Sequence, residues 1–376
     1  MAALLLAAII YLSARSPEIA FERHTIDQGV SETCAIADFN NDGRPDIFSG
    51  DAWYENPGWK RHEVRHLKEY GTYLASLIDL PLDVDGDGWI DIVSSGWHSE
   101  KIWWSRNPGN SGALWEDRVI DQGSPVEFSF LVDLDNDGKA RELLPQFGNR
   151  AFGTVWYEPA GGEWKKHVVS PEGHGHGIGA GDVNGDGRND IVTPEGWFEA
   201  PADPRAGEWK FHPEFKLGTT SFIYVIDINE DGLPDLLTAN GHDYGIFWME
   251  QRRDHSWEKH MIDESWSQPH ALTLVDLNGD GRKELLTGKR FMAHDGHDPG
   301  EHDPLGIYWY EYHKSEDGKG VVWSRHIVDY GSRAGGGMQI PVADIDGDGD
   351  LDFATGGKSG LFLFENLTRG HGRRNP

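Results

Sequence analysis

The chain has 376 residues and 63 acidic against 34 basic side chains, a formal charge of −29 that excludes a basic nucleic-acid-binding surface; only RGHGRR near the C-terminus is locally cationic. A single cysteine, Cys34, excludes an intramolecular disulfide framework, and its small neighbours (TCAIAD) predict a buried thiol. Length alone would allow two or three domains, so internal repetition decides the organisation.

In chain order, Ala2 to Leu12 is an apolar run too short to cross a bilayer, followed by the small-residue stretch Ser13-Ala14-Arg15-Ser16. Residues 1–16 are therefore predicted to be an export signal. The protein is expected to be secreted, periplasmic or on the cell surface, with no transmembrane span and as a monomer. Residues 17–366 carry one repeated unit, and 367–376 form a short basic tail.

Each unit contains an acidic loop, and seven copies occur. The oxygen side chains of the first are Asp38, Asn40, Asp42 and Asp46, and of the second Asp83, Asp85, Asp87 and Asp91. The third offers Asp133, Asp135 and Asp137, with one extra residue before Glu142. The fourth has Asp182, Asn184, Asp186 and Asp190; the fifth Asp227, Asn229, Asp231 and Asp235. The sixth has Asp276, Asn278, Asp280 and Glu284, and the seventh Asp344, Asp346, Asp348 and Asp352. Oxygen donors at positions 1, 3, 5 and 9 with Gly at 6 suit a hard cation, and Ca2+ fits best. Asn-Gly and Asp-Gly pairs also mark hairpin turns, but a turn alone does not need four ligand-type side chains at fixed offsets. No bidentate Glu stands at position 12, so these are not EF-hands. Much of the acidity is thus metal-site composition.

Around each loop the pattern is constant. A segment of small or β-branched residues precedes it, as in GIGAGD and YVIDI, and a short apolar strand such as DIVTP follows. Next comes an aromatic strand (WYENP, VWYEP, YWYEY), then an outer strand reading Trp-x-x-His-x-apolar, as in WKKHVV and WSRHIV. Four short strands per unit of about 50 residues, seven times over, predict an all-β seven-bladed propeller. After the seventh loop only two strands remain, whereas FERHTI at Phe21 has the outer-strand pattern with no blade before it. The N-terminal strand is therefore expected to complete the last blade.

The DxDGDGxxD loop followed by a short apolar strand, over about residues 20–366, resembles the FG-GAP or VCBS type of propeller, the calcium-loop blades of integrin α subunits. The WYENP and WxxH additions are more distantly similar to the propeller module of aldos-2-ulose dehydratase and of rhamnose-glucuronate lyases. That likeness implies elimination across a sugar ring, although the cupin domains of the dehydratase have no counterpart here.

The acidic loops join first to second strands and share one face; ligands are expected on the other. Six residues before each loop lies one position per blade at the axial mouth: Glu32, Leu77, Glu127, His176, Ser221, His270 and Met338. Glu32, Glu127, His176 and His270 are candidate ligands of a further divalent metal, or an acid/base group; the bland alternative is a wet channel mouth tolerant of any polar residue. The same face carries Trp97, His98, His174, Glu195, Trp197 and Lys358 as candidate substrate contacts, the tryptophans as platforms for a sugar ring or merely as blade caps. His242 and the pair Lys289-Arg290 join His176 and His270 as candidate catalytic groups. In the sixth unit FMAHDGHDPGEHDPLG stretches the spacing from Asp276 to Asp344 to 68 residues, as a lid, a metal-holding loop or a solvated excursion.

No GxSxG, HExxH or strand-to-helix GxGxxG is present. Two functions fit: a carbohydrate-active lyase or dehydratase working by β-elimination on a uronic-acid or keto sugar, and a non-catalytic carbohydrate- or protein-binding propeller.

Overall fold

In the computed structural model, residues 16–369 are described; residues 1–15 of the expected export signal and the last seven of the tail lie outside them. Seven four-stranded antiparallel sheets follow one another around the ring. Blades 1 to 6 cover 35–63, 78–122, 126–170, 179–212, 224–267 and 271–330. Blade 7 joins 342–366 to the strand Phe21–Asp27, with Phe21 opposite Asn366 and His24 opposite Leu363. The first described strand thus closes the ring as its pattern predicts, covering the edge of the strand Gly360–Asn366. A small hairpin, Glu69–Tyr70 with Tyr73–Leu74, is inserted between blades 1 and 2.

Crowding at the axis explains the small residues of the first strands. A Cβ on Gly179 would stand 1.8 Å from the Ile223 carbonyl oxygen, so blades 4 and 5 approach this closely only with Gly there. Outward from the axis the sheets bury their aromatic strands between blades, with Trp103, Trp104, Trp156 and Trp309 at most 1% exposed. Cys34 is buried and free, and burial pushes its thiol pKa up.

Each acidic loop has two left-handed residues. Position 4 has φ from 54° at Glu230 to 80° at Gly347, and the position-6 glycines lie between 84° and 92°. The first aspartate caps the loop from within: Asp38 accepts the Asp42 N–H at 3.1 Å and the Gly43 N–H at 2.8 Å. The last carboxylate is a staple. Asp46 is 0% exposed and accepts the Phe39 N–H at 3.1 Å and the Asn56 N–H at 2.9 Å, tying the loop to the end of the third strand. In blade 3 the longer Glu142 side chain absorbs the extra residue and still accepts the Leu134 N–H at 3.0 Å.

The repeated outer-strand histidines have a packing role. His62, His167, His212, His260 and His326 each stack on the tryptophan of the neighbouring strand with ring centroids 3.7–4.5 Å apart. Their Nε2 atoms meet the glutamate that follows that tryptophan by two residues, as in His167 with Glu158 at 3.0 Å. Blade 2 replaces the imidazole with Arg118, whose guanidinium lies 5.0 Å from the Trp104 ring centroid.

Candidate active site at the propeller axis

The strand order places the entries to the first strands and the turns between second and third strands at one end of the disc, opposite the acidic loops. Glu127 opens the first strand of blade 3, while His176 and His270 stand just before the first strands of blades 4 and 6. Their imidazoles converge on Glu127. His176 Nε2 lies 2.7 Å from Glu127 Oε2, and His270 Nε2 lies 3.5 Å from Glu127 Oε1. A third imidazole comes from the turn of blade 5: His242 Nε2 is 3.6 Å from Glu127 Oε2 and 3.2 Å from His176 Nε2.

Glu32, from the same repeat position in blade 1, is turned to a different task. It takes Arg290 Nε at 2.8 Å and Nη2 at 3.1 Å, while Arg290 Nη1 donates to Glu127 Oε1 at 3.1 Å. The guanidinium is 2% exposed and bridges two buried carboxylates, so it orders Glu127 and is not free to receive a substrate anion. Lys289, adjacent in sequence, faces elsewhere. Its Nζ donates to Ser267 Oγ at 2.8 Å and to the Gly300 carbonyl at 2.7 Å, anchoring the root of the blade 6 insertion. Burial pulls its pKa down to about 8.

The insertion lies over the mouth. Asp298 accepts from His242 Nδ1 at 3.1 Å and from His294 Nδ1 at 2.9 Å, and the His294 ring stacks on His242 with centroids 4.5 Å apart. The inserted hairpin holds the lid's other edge. Thr72 Oγ1 donates to Asp295 at 2.7 Å, and the Tyr73 hydroxyl donates to the Ala293 carbonyl. Lys358 reaches the same edge, donating to the Met292 carbonyl at 2.6 Å with its ammonium 3.7 Å from the centre of the Tyr73 ring.

Beside the imidazole group is a cavity of about 200 Å³, lined by Tyr73, Leu77, Trp97, His98, Glu127, Arg290 and lid residues 293–295. Glu127 is common to both. His176, His242 and His270 line no part of that cavity.

The electrostatics follow the packing. Burial alone would raise the Glu127 pKa, but hydrogen bonding and charge from His176, with His242 and His270 behind, hold it well below the usual carboxylate range. Burial opposes a charge on His176, yet Glu127 raises its pKa above the ordinary histidine value. His270 is driven well below that value, first by burial and then by the Arg290 cation. Partial burial lowers the His98 pKa, which keeps that ring neutral near pH 7.

The remaining expected contacts are scattered. His174 packs edge-on against Phe198, and Glu195 pairs with Arg150 at 2.7 Å on the surface. Trp197 is 5% exposed and stacked on His212, a blade-packing residue with no face for a ligand. Tyr73, His294 and Asp298 were not singled out from the sequence; the 14 residues separating the outer strand of blade 1 from the first strand of blade 2, against three between blades 2 and 3, are the signal that points to Tyr73.

The family model of the FG-GAP-like repeat matches residues 83–140 and 227–287, which hold the acidic loops of blades 2, 3, 5 and 6. FG-GAP-like repeats account for these two stretches of the propeller. Among solved structures this propeller is similar to BBS1N in complex with ARL6DN, at 11% identity over 94% of this chain and 98% of that one, TM-score 0.57. It is also similar to a streptogramin B lyase, at 12% over 93% and 98%, TM-score 0.52. The exotype rhamnogalacturonan lyase YesX matches at 12% over 94% of this chain and 75% of that one, TM-score 0.50. Identities this low establish a shared fold. No curated protein matches the sequence.

The FG-GAP loops have the donors a hard cation needs: carboxylate oxygens of Asp83, Asp85 and Asp91 lie within 4.8 Å of one another. Burial pushes the pKa of each position-9 carboxylate, for example Asp91, up to about 7, as expected of acidic groups packed together without a balancing charge. The donor set therefore fits Ca2+.

Proposed function

We propose that this FG-GAP propeller is an exported carbohydrate lyase or dehydratase that works by β-elimination on a uronic-acid-containing or keto sugar, on a scaffold whose loops bind structural Ca2+. One observation carries the reading. A single cavity presents the flat rings of Trp97 and Tyr73, the imidazoles of His98 and His294, and the Glu127–Arg290 pair to the same volume.

Its volume, below the ~300 Å³ where sites for drug-sized ligands begin, suits one terminal sugar ring better than the middle of a chain. Trp97 and Tyr73 supply apolar surface for the ring face, and Lys358 supports the tyrosine from behind. Neutral His98 is suited to remove the proton on the carbon next to the carboxylate or carbonyl. The electron pair left behind forms the carbon–carbon double bond as the C–O bond on the neighbouring carbon breaks. The departing oxygen takes a proton from His294, which Asp298 holds through Nδ1.

The test is incubation with uronic-acid polysaccharides, their oligosaccharides and ketosugars while following the ultraviolet absorbance of an unsaturated product. We expect release from chain ends, abolished in His98→Ala. No absorbance change across the panel, with sugar binding intact and unaffected by His98→Ala, would make the disc a binding module.

A further inference from the structure

We propose that His176, His242, His270 and Glu127 form a binding site for one divalent first-row transition metal at the axis, chemically distinct from the oxygen-only FG-GAP loops. The proposal deepens the reading of the same site and rests on its placement at the axis, not on the reaction.

The orientation of the three rings carries it. Each Nδ1 faces an acceptor that has no proton to give: the Thr220 carbonyl at 3.1 Å from His176, Asp298 at 3.1 Å from His242, and the Gln268 carbonyl at 3.4 Å from His270. Nδ1 therefore carries a hydrogen in all three, and in the neutral form of each ring Nε2 is then a lone pair. Those three lone pairs all face one carboxylate, and two of them stand 3.2 Å apart. Such an arrangement repels itself unless a cation lies in the middle.

A proton is the first candidate. Carried on His176 Nε2, it would serve Glu127 and His242 together. It leaves His270 unanswered: that side chain is fully buried, its Nε2 makes no hydrogen bond, and it faces a region already flanked by the Arg290 cation. A metal ion satisfies all four atoms. Two ligands about 2.0–2.1 Å from a tetrahedral ion stand roughly 3.3 Å apart; His176 and His242 lie 2.7 and 3.6 Å from Glu127 Oε2 and 3.2 Å from each other, the three groups falling within 4.8 Å, while His270 approaches from the side of Glu127 Oε1 at 3.5 Å. Nitrogen-rich ligation selects Zn2+ or a neighbour in the first row and discriminates against Ca2+, whereas the acidic loops do the reverse. The carbonyls and Asp298 behind each Nδ1 are the outer partners that fix ring orientation at metal sites, and Asp298 belongs to the lid.

The test titrates Co2+ into chelator-stripped, full-length protein with Ca2+ in excess to fill the loops, reading the visible absorption of nitrogen-ligated Co2+ without any sugar. We expect one equivalent to bind, displaced stoichiometrically by Zn2+; His242→Ala abolishes the band. Asp298→Asn, which leaves all four ligands in place, should weaken binding 10–100-fold. No band from the wild-type protein overturns the proposal, as does a folded His242→Ala that titrates like wild type, and full wild-type affinity in Asp298→Asn removes the lid's part in it. A metal that binds without any lyase activity would leave this site standing and the reaction refuted.

Discussion

Replacing Arg290 by Met should be one of the most destabilising single changes on the ligand face. The guanidinium is 2% exposed, and its partners Glu32 and Glu127 are 2% and 5% exposed, with three contacts between 2.8 and 3.1 Å. Methionine fills much of the same space, so packing loss is small. What remains is a buried Glu32 stripped of its cation beside a Glu127 that keeps only its imidazoles, and breaking such a pair from one side costs about 3–5 kcal/mol. Unfolding entropy of about 2.1 cal/mol/K per residue over roughly 350 residues is about 0.7 kcal/mol/K, so the melting temperature should fall by about 4–7 °C. Adding Glu32→Gln removes one stranded charge and should recover about 1–3 kcal/mol of the loss, a coupling that a double-mutant cycle in urea measures directly. A loss under about 1 kcal/mol for Arg290→Met, or strictly additive effects with Glu32→Gln, would refute the buried bridge.

Lys289 is held near 8, below its ordinary 10.5, because burial disfavours its charge; between those values the folded chain sheds a proton that the unfolded chain keeps. Stability should therefore rise with pH across that window relative to Lys289→Met, and urea midpoints at pH 7.5 and 9.5 that diverge in the opposite sense would contradict it. His167→Ala, which removes a 6%-exposed ring stacked 4.0 Å from Trp156 together with its bond to Glu158, should cost about 2 kcal/mol. Arg150→Ala breaks a solvent-exposed pair with Glu195 and should shift stability by no more than about 0.5 kcal/mol in the same assay. Chelating Ca2+ should lower the melting temperature, since each loop filled at a hundred times its Kd contributes about 2.7 kcal/mol, and Asp83→Asn should shrink that shift by roughly one loop's share. An identical shift in the variant would remove the second loop from the set of cation sites.

The architecture was legible because it is periodic. Loop spacing, the outer-strand pattern at Phe21 and the glycines beside the axis each follow from a repeat that must satisfy the same packing seven times. Position at the axial mouth was legible for the same reason, since one offset from each loop found Glu32, Glu127, His176 and His270. Their partners were not. His294 and Asp298 sit in the blade 6 insertion, where the chain is free of the repeat and spacing carries no register; His242, on the blade 5 turn, stood out only as a departure from the repeat. Arg290 looked like a free cation because its neighbours in sequence do not reveal that two carboxylates, 258 and 163 positions away, close on it. Trp197 shows the converse: the tryptophan facing each outer-strand histidine is a packing residue, so its pairing with His212 already marked it as scaffold.

The most direct measurement is an anomalous difference map at the zinc absorption edge from crystals grown with Zn2+ and Ca2+ together. The account expects one strong peak bounded by the Nε2 atoms of His176, His242 and His270 and the Glu127 carboxylate, absent below the edge. Zinc signal confined to the acidic loops, with nothing between the three rings, would contradict it.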